Sequence, residues 1–141
     1  MSEKTYAGNL TVKQTWDMLS ENPKARLVDV RTEAEFKWVG TPDLSSLGKE
    51  ADQVQWKTHP DMERNPDFTA KVAEHAPDKD TPLLFLCRSG GRSRDAAEAL
   101  TAAGYTQCYN VAGGFEGDLD GDVHRGTTNG WKSDGLPWKQ T

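Results

Sequence analysis

Over residues 11–20 the apolar positions recur at helical spacing. Val12, Trp16 and Leu19 stand at i, i+4 and i+7 with polar residues between them. Thr11 followed by Gln14 makes a capping box at the start of this pattern. Asn22-Pro23 stops it, because the residue before a proline is pushed out of the helical region. The spacing predicts an amphipathic helix over 12–20. The period then changes: LVDV at 27–30 is a short β-branched run of the kind found in a strand buried on both faces. Thr32 with Glu35 offers a second capping box, so a strand is expected to feed a helix through Arg31.

Residues 40–53, GTPDLSSLGKEADQ, mix Gly, Pro, Ser and charge and read as a long surface loop before a strand at 54–57. Asn65-Pro66 is expected to open another helix, with Asn65 as N-cap, Pro66 at the first helical position, and Phe68 and Val72 on one face. After the turn APDKDTP the run LLFL at 83–86 predicts a buried strand, and 87–92 a loop. A helix follows from about residue 93 to 103, its buried side carrying Ala96, Ala99, Leu100 and Ala103 and its C-terminus capped by Gly104. A strand near 108–111 precedes Ala112-Gly113-Gly114. From Glu116 onward the chain reads as loop, with Trp131 and Trp138 expected to pin it to the body. Helices alternating with short buried strands predict an α/β domain with a central, mainly parallel sheet flanked by helices. Sites in such sheets form at the carboxyl ends of the strands, where Arg31 and Cys87 both fall.

Length and charge narrow the picture. A chain of 141 residues is expected to form one domain over 1–141. No apolar run approaches the roughly 20 residues of a membrane helix, and MSEKTYAGNL lacks a basic segment leading into an apolar one, so the expectation is a cytoplasmic protein with no membrane partner. A net charge of -5 argues against nucleic acid as a partner, since that needs a broad basic surface. Against this background the cluster of Arg88, Arg92 and Arg94 is informative. The two cysteines, Cys87 and Cys108, form no CxxC pair and sit in no metal-ligand spacing, so neither a disulfide framework nor a metal site is indicated.

The chemistry gathers at CRSGGR, residues 87–92. A loop running from a strand end into a helix N-terminus points several backbone N–H groups at one centre, and the helix dipole adds partial positive charge there. Gly90 and Gly91 allow positive φ, so the chain can curl around that centre. Arg88 and Arg92 bring two permanent charges to its rim. These are conditions that lower a thiol from about 8.5 into the range of roughly 3.5 to 7.5, and they make Cys87 a candidate nucleophile without a histidine base. The bland alternative is an inert cysteine buried at a strand end, which leaves the glycines and arginines unexplained. A nucleotide-binding P-loop needs GxxxxGK[ST], which is absent. A cysteine-dependent phosphatase or arsenate reductase also uses a thiolate, a backbone cradle and an arginine, but the phosphatase signature is Cys-x5-Arg and here the spacing is Cys-x4-Arg.

Three stretches in order, LVDVRTEAEF at 27–36, CRSGGR followed by Ser93 and an alanine-rich helix, and YNVAGGFEG at 109–117, resemble the single-domain rhodaneses, a sulfurtransferase family. The resemblance spans about 11–138 and includes the tail DVHRGTTNGWKSDGLPW. It implies a rhodanese-like fold and a thiosulfate sulfurtransferase acting through a persulfide on Cys87. Sulfane sulfur would pass from thiosulfate or a related small anionic donor to cyanide or a thiol acceptor, including a protein acceptor. The six-residue loop accompanies sulfur substrates in this family, and the loop one residue longer accompanies phosphate or arsenate chemistry. Arg88, Ser89, Gly90, Gly91, Arg92 and Ser93 are implied to bind the substrate, with Ser93 either a hydrogen-bond donor or a helix cap. Asp29 and Arg31 are implied to brace the loop from behind. No metal or organic cofactor is implied. A non-enzymatic sulfur carrier or interaction domain is the alternative, separated from an enzyme by its turnover. The chain departs from the family at VGTPDLSSLGKE, where many members carry a His-Ile-Pro-Gly-Ala-like segment, and this touches donor identity more than chemistry.

Other candidates weigh less. Asp118, Asp120 and Asp122 alternate like the start of a calcium loop, but Val123 holds the glycine position and Asn129 the bidentate glutamate position, so an EF-hand is rejected. His59, His75 and His124 are scattered and read as solvated side chains. Cys108 reads as a buried small residue, not a resolving thiol.

Overall fold

The computed structural model describes residues 6–31, 41–58, 63–87, 91–111, 114–115, 131, 136 and 138–139. In chain order its elements are β1 (Gly8–Leu10), α1 (Val12–Glu21), β2 (Arg26–Asp29), β3 (Thr41–Pro42), a 3-10 turn (Ser45–Leu47), β4 (Asp52–Gln53), β5 (Lys57–Thr58), β6 (Glu63–Arg64), α2 (Phe68–His75), β7 (Leu83–Leu86), α3 (Gly91–Ala102), β8 (Cys108–Val111) and β9 (Trp138–Lys139). Five strands form one parallel sheet in the order β1-β8-β7-β2-β4, so β7 lies at its centre. Two short antiparallel pairs, β3 with β9 and β5 with β6, stand beside it. Among the described residues no helix is long and apolar enough to cross a membrane.

The central position of β7 follows from its composition. All four of its side chains are apolar and fully buried, which only a strand covered on both faces allows. Because successive side chains alternate, β7 divides the core in two. Leu83, Phe85 and then Cys87 join Val28, Val30, Phe68, Val72, Ala96 and Leu100 on the face covered by α2 and α3. Leu84 and Leu86 join Leu27, Val12, Leu19, Phe115 and Trp131 on the face covered by α1.

Local signals held where they were local. Thr11 accepts from the Gln14 amide at 3.1 Å while the Gln14 side chain accepts from the Thr11 amide at 2.9 Å, so the capping box forms and α1 ends at Asn22. Several boundaries differ. Residues 40–53 are not simply a surface loop: Leu44 is buried, and Asp52–Gln53 becomes the edge strand β4, paired with Val28 and Asp29. The strand expected at 54–57 does not form as such: β4 ends at Gln53, where its register is set by β2 and by the bidentate pair of Arg26 with Asp52 at 2.6 and 2.8 Å, and of 54–57 only Lys57 is in a strand, as the start of β5. Asn65 does not cap α2. Its Oδ1 accepts from the Asp67 amide at 3.0 Å in a turn, and the helix begins at Phe68. α3 opens at Gly91, earlier than the expected Ser93, with Ala97 on its buried side and Ala103 exposed beyond its end. β1 had no counterpart in the sequence pattern. Three residues carry too little periodicity, and the strand exists because β8 offers an open edge.

The second capping box at Thr32 and Glu35, His59, His124 and the aspartates at 118, 120 and 122 lie outside the described residues.

Candidate active site

β7 delivers Cys87 to the carboxyl edge of the sheet, between the ends of β2 and β8. The residue is 2 % exposed. Four positions later Gly91 opens α3, a helix of 12 residues, so the strand end faces a helix N-terminus. Ser93, the third residue of that helix, sets its hydroxyl 3.3 Å from the Cys87 sulfur. The sulfur therefore sits at the first turn of α3, where backbone N–H groups lack intrahelical acceptors and the dipole is positive.

Of the residues singled out by sequence, Arg88, Ser89 and Gly90 lie outside the described residues. Gly91 has helical backbone, so it is the helix start that uses this glycine and not a positive φ. Arg92 follows it, partly buried. Ser93 is fully buried inside the helix and does not occupy the N-cap position.

Asp29 and Arg31 are both fully buried at the end of β2. Arg31 donates through Nε to Asp29 Oδ1 at 2.9 Å and through Nη2 to Asp29 Oδ2 at 2.6 Å, a bidentate pair of the kind that holds a guanidinium in one plane. That plane lies over the Phe115 ring, 4.3 Å from its centroid. The Phe115 amide in turn donates to the Cys87 carbonyl at 2.8 Å. A continuous set of contacts thus runs from the end of β2 to the backbone of the cysteine. Phe115 lies within YNVAGGFEG with no role evident from the sequence alone, its place after two glycines being the one signal of it. Gly114, at φ 63, makes the turn that brings it there.

Asn110 was missed as well. It sits on β8, is 6 % exposed, and its Oδ1 lies 2.5 Å from the Ser93 hydroxyl. A polar residue inside the buried run CYNV was the only hint.

Cys108 lies apart from this site. It pairs in register with Leu83, four residues before Cys87, which at about 3.3 Å per residue places the two cysteines roughly 13 Å apart. A disulfide needs Cα atoms within about 7 Å, so Cys108 cannot resolve Cys87 without moving a strand. Burial pushes its thiol up to about 11, with a weaker opposing hydrogen bond from Thr101. A cleft of about 560 Å³ bounded by Thr41, Leu44, Lys49 and Gln53 includes none of Cys87, Ser93 or Asn110.

Comparison with known proteins agrees with this architecture. Residues 7–141 match the model of the STR4 middle domain. The crystal structure of Rv0390 from M. tuberculosis superposes with a TM-score of 0.89 at 54% identity, covering 96% of this chain and 99% of that one. An uncharacterized protein of Rickettsia conorii is 39% identical over 133 residues, 93% of this chain and 96% of the relative. Thiosulfate sulfurtransferase GlpE of Tolumonas auensis is 30% identical over 99 residues, 70% of this chain and 76% of the relative.

Proposed function

The chain belongs to the rhodanese-like family of sulfurtransferases, and from that premise we propose that it moves sulfane sulfur through a persulfide on Cys87. The Cys87 thiolate attacks the outer sulfur of thiosulfate or a related small anion. The sulfur–sulfur bond of the donor breaks and sulfite leaves with the electron pair. The outer sulfur of the persulfide then passes to cyanide or to a thiol, small or protein-borne, and the Cys87 thiolate is regenerated.

The observation that carries this reading is the seat of the sulfur. It lies at the carboxyl edge of the central strand, against the first turn of a 12-residue helix, with the Ser93 hydroxyl 3.3 Å away. Donors fixed before the reaction stabilise a charged sulfur without reorganisation, both as thiolate and as persulfide. Arg88 and Arg92 are assigned to attract the dianionic donor and to steady the departing sulfite. Ser89, Gly90 and Gly91 complete the cradle in this reading. Asp29 and Arg31 act from behind, through Phe115. The count from Cys87 to Arg92, one residue fewer than in a phosphatase loop, favours sulfur over a tetrahedral oxyanion.

Intact mass after incubation with thiosulfate tests the proposal. The wild-type protein should gain ~32 Da, one sulfur atom, and Cys87→Ser should gain nothing. Absence of the adduct on wild type would sink the reading. Steady-state turnover with thiosulfate and cyanide then separates an enzyme from a carrier that loads sulfur but hands it on only to a partner.

A further inference from the structure

The Cys87 sulfur stands at one end of a line of hydrogen-bonding side chains that reaches the far edge of the sheet. Ser93 Oγ lies 3.3 Å from Cys87 Sγ and 2.5 Å from Asn110 Oδ1. Asn110 Nδ2 donates to Asn9 Oδ1 at 3.0 Å, and the same oxygen accepts from the Tyr6 hydroxyl at 3.0 Å. The register of the sheet makes this possible: Asn9 on β1 and Asn110 on β8 are direct partners, and Asn110 in turn pairs with Phe85, two residues before Cys87. Side chains two apart along a strand share a face.

A hydroxyl carries a single proton. The Ser93 hydroxyl therefore donates either to the sulfur or to Asn110 Oδ1, not fully to both, although it is within reach of each. An amide side chain, by contrast, presents either its oxygen or its NH2 after a half-turn that leaves the heavy-atom outline almost unchanged. The line thus has two self-consistent polarities. In one, Tyr6 and Asn110 both donate to the Asn9 oxygen, Ser93 donates to the Asn110 oxygen, and the lone pair of Ser93 is left to accept from a neutral Cys87 S–H. In the other, the NH2 of Asn9 serves both Tyr6 and the Asn110 oxygen, the NH2 of Asn110 donates to Ser93 Oγ, and the Ser93 proton is delivered to a charged sulfur. Within the line only hydrogens and two amide orientations change; the one proton lost between the two states is that of Cys87 itself, which goes to solvent.

We propose that Asn110 is a positioning residue whose amide sets the direction of the Ser93 hydroxyl, so that the line Tyr6–Asn9–Asn110–Ser93 decides whether Cys87 receives a hydrogen bond in its charged form. The proposal rests on Cys87 as the reacting sulfur. It does not depend on which donor loads it.

The test replaces an amide, which can turn, by a carboxylate, which only accepts. Asn110→Asp holds the Ser93 proton away from the sulfur. Asn9→Asp, at an exposed position that folding tolerates, holds the Asn110 NH2 and so turns its oxygen toward Ser93. Alkylation of Cys87 by iodoacetamide is followed against pH, peptide by peptide, so that Cys108 is counted separately. Other charged groups on the elements that flank the sulfur, Asp29 and Arg31 at the end of β2 and Arg92, Arg94 and Asp95 in α3, are left as they are.

The pH of half-maximal alkylation should rise by about one unit in Asn110→Asp, the effect of losing one hydrogen bond to a charged group, and should rise in the same direction in Asn9→Asp. Asn110→Leu, which removes the competing acceptor, should give no such rise. In a Ser93→Ala background both carboxylate effects should largely disappear. Shifts of equal size with and without Ser93 would mean that the added charge acts directly, and would overturn the proposal, as would the absence of a shift in both carboxylate variants. Because alkylation reads the thiolate itself, a protein that takes no sulfur from thiosulfate still gives an answer.

Discussion

Cys108 and Cys87 occupy neighbouring strands and the same face of the sheet, yet their surroundings differ in kind. Cys87 meets a helix N-terminus and a hydroxyl. Cys108 is fully buried among apolar residues, and desolvation holds its thiol up to about 11 from an ordinary 9.0. Tyr105 is shifted up in the same way, first by burial and then by Cys108 and Asp78. A group that keeps its proton longer in the folded state stabilises the fold only while the unfolded chain is also protonated. This stability is complete below pH 9 and is lost as pH rises from about 9 to about 11. Urea unfolding should show a loss on the order of 1–3 kcal/mol across that window. Cys108→Ala should remove most of it and leave the part due to Tyr105; an unchanged slope in the variant would contradict the assignment. The sequence already separated the two cysteines, because glycines and arginines crowd only one of them. It did not separate Asn110 from any other polar residue in a strand, since its partners Ser93 and Asn9 lie 17 and 101 positions away.

Elements meet at the site through their ends. β2 and β7 run in register from Arg26 with Leu83 to Asp29 with Leu86, so both strands deliver their next residues to the same edge. The buried Asp29–Arg31 pair then carries the end of β2 to Phe115, and through its amide to Cys87. Removing one partner of a buried pair leaves an uncompensated charge. Arg31→Met should therefore cost about 3–5 kcal/mol in urea unfolding, and Asp29→Leu combined with Arg31→Met should cost less than the single change. A double variant worse than the single would show that the pair's geometry over Phe115, not its charge balance, supports the fold. Both residues were legible as a motif beside a strand end. Their contact with Phe115 was not, because 84 positions of chain separate Arg31 from it.

For the molecule as a whole, the decisive contribution comes from a residue far down the chain. Trp131 is fully buried on the α1 face, its ring edge-on to Trp16 at 5.8 Å between centroids, and its amide donates to the Gly114 carbonyl at 2.8 Å. It completes the core that backs Leu84 and Leu86, the two β7 side chains on that face. Trp131→Ala should lower stability by about 3–5 kcal/mol and depress the thermal transition of the whole protein, not of a separate segment. A change below about 1 kcal/mol would mean that the site collapses around the loss. Trp138, expected to do the same work, is 42 % exposed; it meets Phe115 edge-on at 6.2 Å and pairs its backbone with β3. Alternation of helix and strand, the capping box of α1, the buried central strand and the place of Cys87 at its end all follow from the amino-acid sequence by itself, because each depends on neighbours within a few residues. The edge strands β1 and β4 and the line of side chains from Tyr6 to Ser93 were decided only by the tertiary structure, because each takes its hydrogen-bond partners from a distant part of the chain.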